Sequence, residues 1–317
     1  MAKGSKQVIE ICANVKKDEK VIIIAEPKTM SIAESIAIAV SNVGAEPTIS
    51  LITPRIADST EPPEPVAAAM KESDVFISTV FTSITHTHAV KNAVNEGSRG
   101  IMLTQFDNEM LINSGIHADF EKAAPTCEWV ASKLENAERI HLTTTHGTDL
   151  IMSAKGRTSN AMTGIVEKGK FAPVPTIEAN VSPLEGTANG KIVANASIPY
   201  LGIGILKENV IVDVEDGNIT SISGGHEARI LSEDLEDKND DSVYNIAEIG
   251  VGLNPECKFN GFMLEDEGVF GSVHIGIGSS ITLGGNVKAA CHYDLIMTGV
   301  TLEVDGEVII KNGDVLF

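Results

Sequence analysis

Aromatic side chains are scarce in this chain: they make up 4% of it, with a single tryptophan. The core therefore has to come from Ile, Val, Leu and Ala within an apolar fraction of 43%, and a large hydrophobic groove for peptides is disfavoured. Positive charge is short as well. Lys and Arg number 24 against 44 Asp and Glu, a net charge of −20. No basic stripe exists to meet nucleic acid or an anionic membrane, so neither is expected as a partner. The surplus of acid says more about solubility than about substrate. The four cysteines, Cys12, Cys127, Cys257 and Cys291, are scattered without a C-x-x-C pair. That usage fits a reduced, intracellular protein better than a disulfide scaffold. No apolar run approaches the length of a membrane span, and Met-Ala-Lys-Gly-Ser-Lys at the start carries no signal-peptide core. A cytoplasmic location is the expectation. Nucleotide motifs are missing too. Where a G-x-G-x-x-G would follow the first strand stands Glu26-Pro-Lys-Thr-Met, and no G-x-x-x-x-G-K-[ST] loop occurs.

What is present divides into two textures. Up to about residue 138, strand-like and helix-like patterns alternate, the mark of a parallel α/β domain of flavodoxin or Rossmann type. Lys20–Ala25 is a continuous apolar run, as a strand covered on both faces requires. A helix is expected over 30–43, ending at Gly44, then a strand at Thr48–Ile52. Glu61-Pro-Pro-Glu-Pro65 opens a short helix, Asp74–Thr79 is a third strand, and a helix over 86–96 ends at Gly97. Gly100–Leu103 is a fourth strand, with further helices expected over 107–114 and 117–136. From 139 to 317 strands shorten and Asp216-Gly217, Asp305-Gly306 and Asn312-Gly313 recur, dipeptides that favour tight hairpins. The expected second domain is mainly antiparallel β with one helix at His226–Glu236.

The chemistry gathers between Glu248 and Asp294. Glycines separate Glu248-Ile-Gly-Val-Gly, Leu264-Glu-Asp-Glu267, Val273-His274-Ile-Gly-Ile-Gly and Cys291-His292-Tyr-Asp294. Side chains two apart on a strand share a face, so His292 and Asp294 aim together while Cys291 and Tyr293 point away. An imidazole beside a carboxylate can chelate a borderline divalent ion, and can equally be a plain hydrogen-bonded pair. A second histidine and two acidic segments upstream favour the metal site. In the first domain, Ser83-Ile-Thr85-His86-Thr-His88 follows the third strand, at the carboxyl ends of the strands where ligands of open α/β sheets collect. The alternative makes Thr85 an N-cap and the histidines surface residues.

Taken together, Ser83-x-Thr-His86-Thr, Gly147-Thr-Asp149-Leu, Glu178 to Gly190, Ala247-Glu248-x-Gly250, Asp266-Glu267 to His274-x-x-x-Gly278, and Gly284-Gly285 to His292-x-Asp294 resemble one family. It is the M29 (aminopeptidase T-like) metallopeptidase superfamily, which includes the shorter 2,5-dihydroxypyridine dioxygenases. For the peptidase branch the resemblance implies metal ligands at Glu178, Glu248, His274, His292 and Asp294, with two ions of Zn, Co or Mn. It also implies a general base at Glu178 or Glu267, and a homodimer. Such a site would release N-terminal residues from short peptides, or cleave a related small amide, by a metal-activated water. That aminopeptidase-type hydrolase is the first expectation. Two departures stand against it: Ser279-Ser280-Ile281 occupies the place of a catalytic tyrosine, and the chain is shorter than those peptidases. For the dioxygenase branch the resemblance implies Fe(II) on two His and one carboxylate, and His86 as acid or base towards ring hydroxyls. In that branch the resemblance implies a His about fifty residues before His-x-Asp, where the counterpart here is Glu248, so His274, His292 and Asp294 form such a triad on chemistry alone. A third reading keeps the scaffold and binds a small molecule without catalysis.

Overall fold

A computed structural model describes residues 1–317. By its internal contacts the chain forms two compact units, Met1–Lys122 with Thr163–Thr176, and Ala123–Met162 with Ile177–Phe317.

The first unit is built on a five-stranded parallel sheet in the order Glu46–Leu51, Lys20–Ala25, Val75–Ser78, Arg99–Met102, Phe171–Pro173. Its central strands are apolar along their length because both faces are covered. Ile22, Ile24 and Phe76 pack with Val66, Met70, Val90 and Ala93 of the helices Glu64–Glu72 and His88–Asn95. The fifth strand comes from beyond the α/β run. With three residues, an exposed Phe171 and a proline at its end, it carries no readable period.

Two local expectations fail. Residues 107–114 form turns instead of a helix. Asp107 takes the amide of Met110, and the Ser114 hydroxyl donates to the Met110 carbonyl at 2.6 Å, so short polar side chains compete for the backbone. The cap before the next helix is Thr87, whose Oγ1 accepts from the Val90 amide; Thr85 is bonded to Ser83 instead.

The second unit holds two sheets. Eight strands run in the order 218–224, 210–215, 189–194, 149–152, 140–144, 300–304, 307–311, 314–315. Three of its hairpins are those expected: Asp216/Gly217 (φ 48° and 78°), Asp305/Gly306 (49° and 87°) and Asn312/Gly313 (51° and 89°) place both turn residues in the left-handed region. Seven strands form the other sheet, in the order 204–205, 197–198, 292–297, 273–278, 246–252, 178–181, 160–162. The one long helix of this half after its sheets begin is His226–Asp237. The architecture is thus a parallel α/β region followed by a mainly antiparallel β-rich one.

Candidate metal centre

The seven-stranded sheet places the acids and imidazoles by register. In an antiparallel sheet, residues directly opposite one another share a face, and so do residues two apart. Glu248 faces Gly276, and Gly276 faces Asp294. One step along, Asn180 faces Gly250, and Gly250 faces His274. Beyond these rows Glu178 faces Gly252, and Gly278 faces His292. Every donor therefore lies on the same face, next to a glycine on the neighbouring strand. The intervening Ile249, Val251, Ile275, Ile277 and Leu295 point to the other face and are fully buried.

The glycines make the room. A Cβ at Gly276 would come within 2.7 Å of Glu248 Cβ and His292 Cε1 and 3.0 Å of Asp294 Oδ1. One at Gly250 would stand 2.0 Å from His274 Nε2. A sheet with side chains at those two positions could not let the donors meet.

They meet as two groups that share Glu248: Glu178, Glu248 and His274, and Glu248, His292 and Asp294, with the ligand atoms of each group within 4.8 Å of one another. His274 Nε2 lies 3.7 Å from Glu178 Oε2 and 3.8 Å from Glu248 Oε1. His292 Nε2 lies 3.1 Å from Glu248 Oε2 and 3.4 Å from Asp294 Oδ1. The His292 Nδ1–H donates to the Ser279 carbonyl at 2.8 Å, which turns the Nε2 lone pair towards the acids, the orientation a metal-ligating histidine needs. Asn180 donates to Glu178 Oε1 at 2.6 Å. Glu178 Oε2 and Asp294 Oδ1 are buried and accept no hydrogen bond.

The electrostatics point the same way. Burial pushes the Glu178 carboxyl up to about 7, with the Glu248 charge adding to it and His274 opposing. Burial also works against Glu248, but the imidazoles of His274 and His292 outweigh it and hold that carboxyl low. Burial alone would lower both histidines. The surrounding carboxylates override it, raising His274 to about 9 and His292 well above the usual range. Asp294, despite its burial, is held well below the carboxylate range by His292 and His274. A field this negative, with buried oxygens that accept no hydrogen bond and an imidazole whose Nε2 is aimed at the acids, suits a divalent cation. The five residues fit that role.

Glu267 lies at the border of the cluster. Burial, with Asp294, Glu178 and Glu248 nearby, pushes its carboxyl well above the usual range. Tyr200 Oη is 3.1 Å from Glu267 Oε1 and 2.7 Å from Asp294 Oδ2. A phenol has one hydrogen. Asp294, at the shorter distance, and Glu267 compete for it. Neither Tyr200 nor Asn180 is visible as a site residue in the sequence, because each reaches the donors through strand pairing. The alternation of glycine with donor in Glu248-Ile-Gly-Val-Gly and His274-Ile-Gly-Ile-Gly is the signal that was available. His86 lies in the first unit, exposed on the turn before the helix His88–Asn95.

A parallel α/β region followed by a β-rich region with this carboxylate–imidazole cluster defines a metal-using enzyme of the superfamily that joins M29-like aminopeptidases and dihydroxypyridine dioxygenases. Within it, the chain belongs to the family described as NicX, 2,5-dihydroxypyridine 5,6-dioxygenase, whose profile matches residues 1–317. The 2,5-dihydroxypyridine 5,6-dioxygenase of Pseudomonas putida KT2440 is 26% identical over 162 residues, 47% of this chain and 46% of that protein. That sequence match thus spans under half of the relative. The fold match is fuller: the structure of 2,5-dihydroxypyridine dioxygenase from the same organism covers 99% of this chain and 96% of its own, at a TM-score of 0.85 and 19% identity. Wild-type AmpT from Thermus thermophilus covers 100% and 98%, at a TM-score of 0.72 and 16% identity.

These matches overturn the first expectation. The aminopeptidase-type hydrolase rested on the number of carboxylates, whereas the full-length family match and the sequence relative both carry the name 2,5-dihydroxypyridine 5,6-dioxygenase. The shared fold explains how ligand count misled: one strand scaffold serves both branches, and acid count alone does not decide between them. No helix is long and apolar enough to cross a membrane.

Proposed function

We infer that the chain is a metal-dependent dioxygenase that opens the ring of a dihydroxylated pyridine or a similar hydroxylated aromatic. The observation that carries this reading is the family match along all 317 residues. The donor cluster supports it by supplying what such chemistry requires. His274, His292 and Asp294 are the two imidazoles and one carboxylate proposed to hold Fe(II). When bound, that ion would supply the one-electron chemistry that lets dioxygen react with a closed-shell ring.

The chain's own residues do the rest. Ser279 holds the His292 ring in the orientation that exposes Nε2. Asn180 keeps one oxygen of Glu178 occupied, so the other faces the cluster. Glu178 and Glu267 are the proposed groups for moving a proton, and His86 the proposed acid or base towards the ring hydroxyls. The aliphatic wall behind the site keeps water from the sheet's far side. The donor set exceeds one triad: Glu178 and Glu248 lie in the same cluster and are proposed to hold a second cation when one is bound.

The test is oxygen uptake. Protein purified without oxygen and loaded with Fe(II) is mixed with 2,5-dihydroxypyridine and its positional isomers in aerated buffer. One isomer should draw down one dioxygen per ring and lose its ultraviolet band. Iron-loaded protein that consumes no oxygen with any isomer would overturn the reading. Metal analysis of the same preparation counts the ions.

A further inference from the structure

Tyr200 is the polar side chain at this centre with no role so far. The short strand Ser197–Ile198 pairs with the strand His292–Met297 through Ser197 and Ile296, so the chain just beyond it passes Asp294. There the Tyr200 hydroxyl reaches Asp294 Oδ2 at 2.7 Å and Glu267 Oε1 at 3.1 Å. Its ring packs on Tyr293 with centroids 5.1 Å apart. The Tyr293 hydroxyl donates elsewhere, to Asp234 Oδ2 at 2.9 Å.

Asp294 has two oxygens with different surroundings. Oδ2 is taken by Tyr200, while Oδ1 is buried, accepts no hydrogen bond and lies 3.4 Å from His292 Nε2. A carboxylate rotates about its Cβ–Cγ bond unless something fixes it. The sheet fixes only the backbone of Asp294, through its pairing with Gly276. Gly276 has no side chain to hold the carboxylate from the neighbouring strand. A donor on Oδ2 supplies the missing constraint.

We propose that Tyr200 is a positioning residue of the metal centre, its hydroxyl anchoring Oδ2 of Asp294 so that Oδ1 faces the cation held with His292. The assignment rests on the reading of the cluster as a divalent-metal site. It is independent of which reaction the site performs. The second acceptor, Glu267, competes for the same hydrogen, so the anchor is tightest when Tyr200 serves Asp294 alone.

The probe is Co(II), added to metal-stripped protein and followed by its visible absorption and by competition with a chromophoric chelator. Tyr200→Phe keeps the ring on Tyr293 and removes the hydroxyl. It should weaken Co(II) binding by about 10- to 100-fold, as outer partners of metal ligands do, and alter the visible spectrum. Tyr293→Phe removes a hydroxyl of the same kind that faces Asp234, and should leave the affinity within about twofold. Glu267→Gln frees the Tyr200 hydrogen for Asp294, and should hold or tighten Co(II) binding. This variant decides the matter should Tyr200→Phe not fold. Tyr200→Phe binding Co(II) as tightly as the parent, with the same spectrum, would overturn the assignment while the metal reading stands. A tenfold loss in Glu267→Gln would overturn it too, by making Glu267 the group that matters. A parent protein that takes up no Co(II) would remove both.

Discussion

The central strands of the two units use one alphabet for opposite ends. In the parallel sheet, Val21 to Ala25 and Val75 to Ile77 are aliphatic or aromatic at every position, and all are buried. In the seven-stranded sheet, strands 246–252 and 273–278 are equally buried, yet every second position is a glycine or a donor. Burial alone therefore does not mark a site. What distinguishes the second sheet is alternation: one face is aliphatic and anchors the strands, while the other is emptied by glycine and filled by carboxylates and imidazoles. Burying five ionisable groups is unfavourable unless they pair or bind a cation, so this face is stable only as a set.

The largest effect in this comparison should come from removing a donor. His292→Ala should reduce divalent-metal binding by more than about 100-fold and abolish turnover, while the far-ultraviolet spectrum stays that of the parent. Full metal content in that variant would mean the face is not the site. Filling the emptied face comes next. Gly276→Ala and Gly250→Ala leave every donor in place but put a Cβ where Glu248, His292 or His274 now lies. Each should destabilise by about 1–3 kcal/mol and weaken the metal at least as strongly as it weakens the fold. Normal metal affinity in both would show that the glycines serve strand packing alone.

Chelation sharpens the contrast further. Metal at about 100 times its Kd should stabilise the protein by about 2.7 kcal/mol, and a chelator should remove that increment in the parent but not in His292→Ala. Calorimetry with and without chelator measures it. His86→Gln should leave metal content unchanged and slow ring opening if its imidazole serves the ring hydroxyls. Unchanged turnover would return His86 to the role of a surface turn residue.

The smallest effect belongs to the parallel unit, where charge serves structure. Arg99 donates to both oxygens of Glu19, at 3.0 and 2.6 Å, and to the carbonyls of Ala13 and Asn14. Partial burial would raise the Glu19 carboxyl, but Arg99 overrides it and holds the group below its ordinary value. A carboxyl depressed by folding stabilises fully above its unfolded pKa, and that stabilisation is lost as pH falls through the folded one. Glu19→Gln should thus cost about 1 kcal/mol at neutral pH, with the gap to the parent closing under acid. A gap that stays constant down to the acid range would show that the carboxylate charge contributes nothing.

Much of this was legible beforehand, and the failures have a common cause. Lys20–Ala25, the three Asp-Gly and Asn-Gly hairpins and the His292-x-Asp294 pair were readable because each is a local pattern of backbone or side-chain direction. The turns at 107–114 were not, since Asp107 and Ser114 take backbone groups that a helix would use. The strand Phe171–Pro173 was too short to show a period.

The sequence by itself determined which residues could be donors, that His292 and Asp294 point the same way, and that glycine alternates with them. Neighbours along a chain are enough to settle those things. Only the tertiary structure decided that Glu178, Glu248, His274 and Asp294 converge and that Tyr200 is their companion. Convergence depends on the register of four strands spread over more than a hundred residues of chain, and no local pattern encodes a pairing between strands separated in sequence.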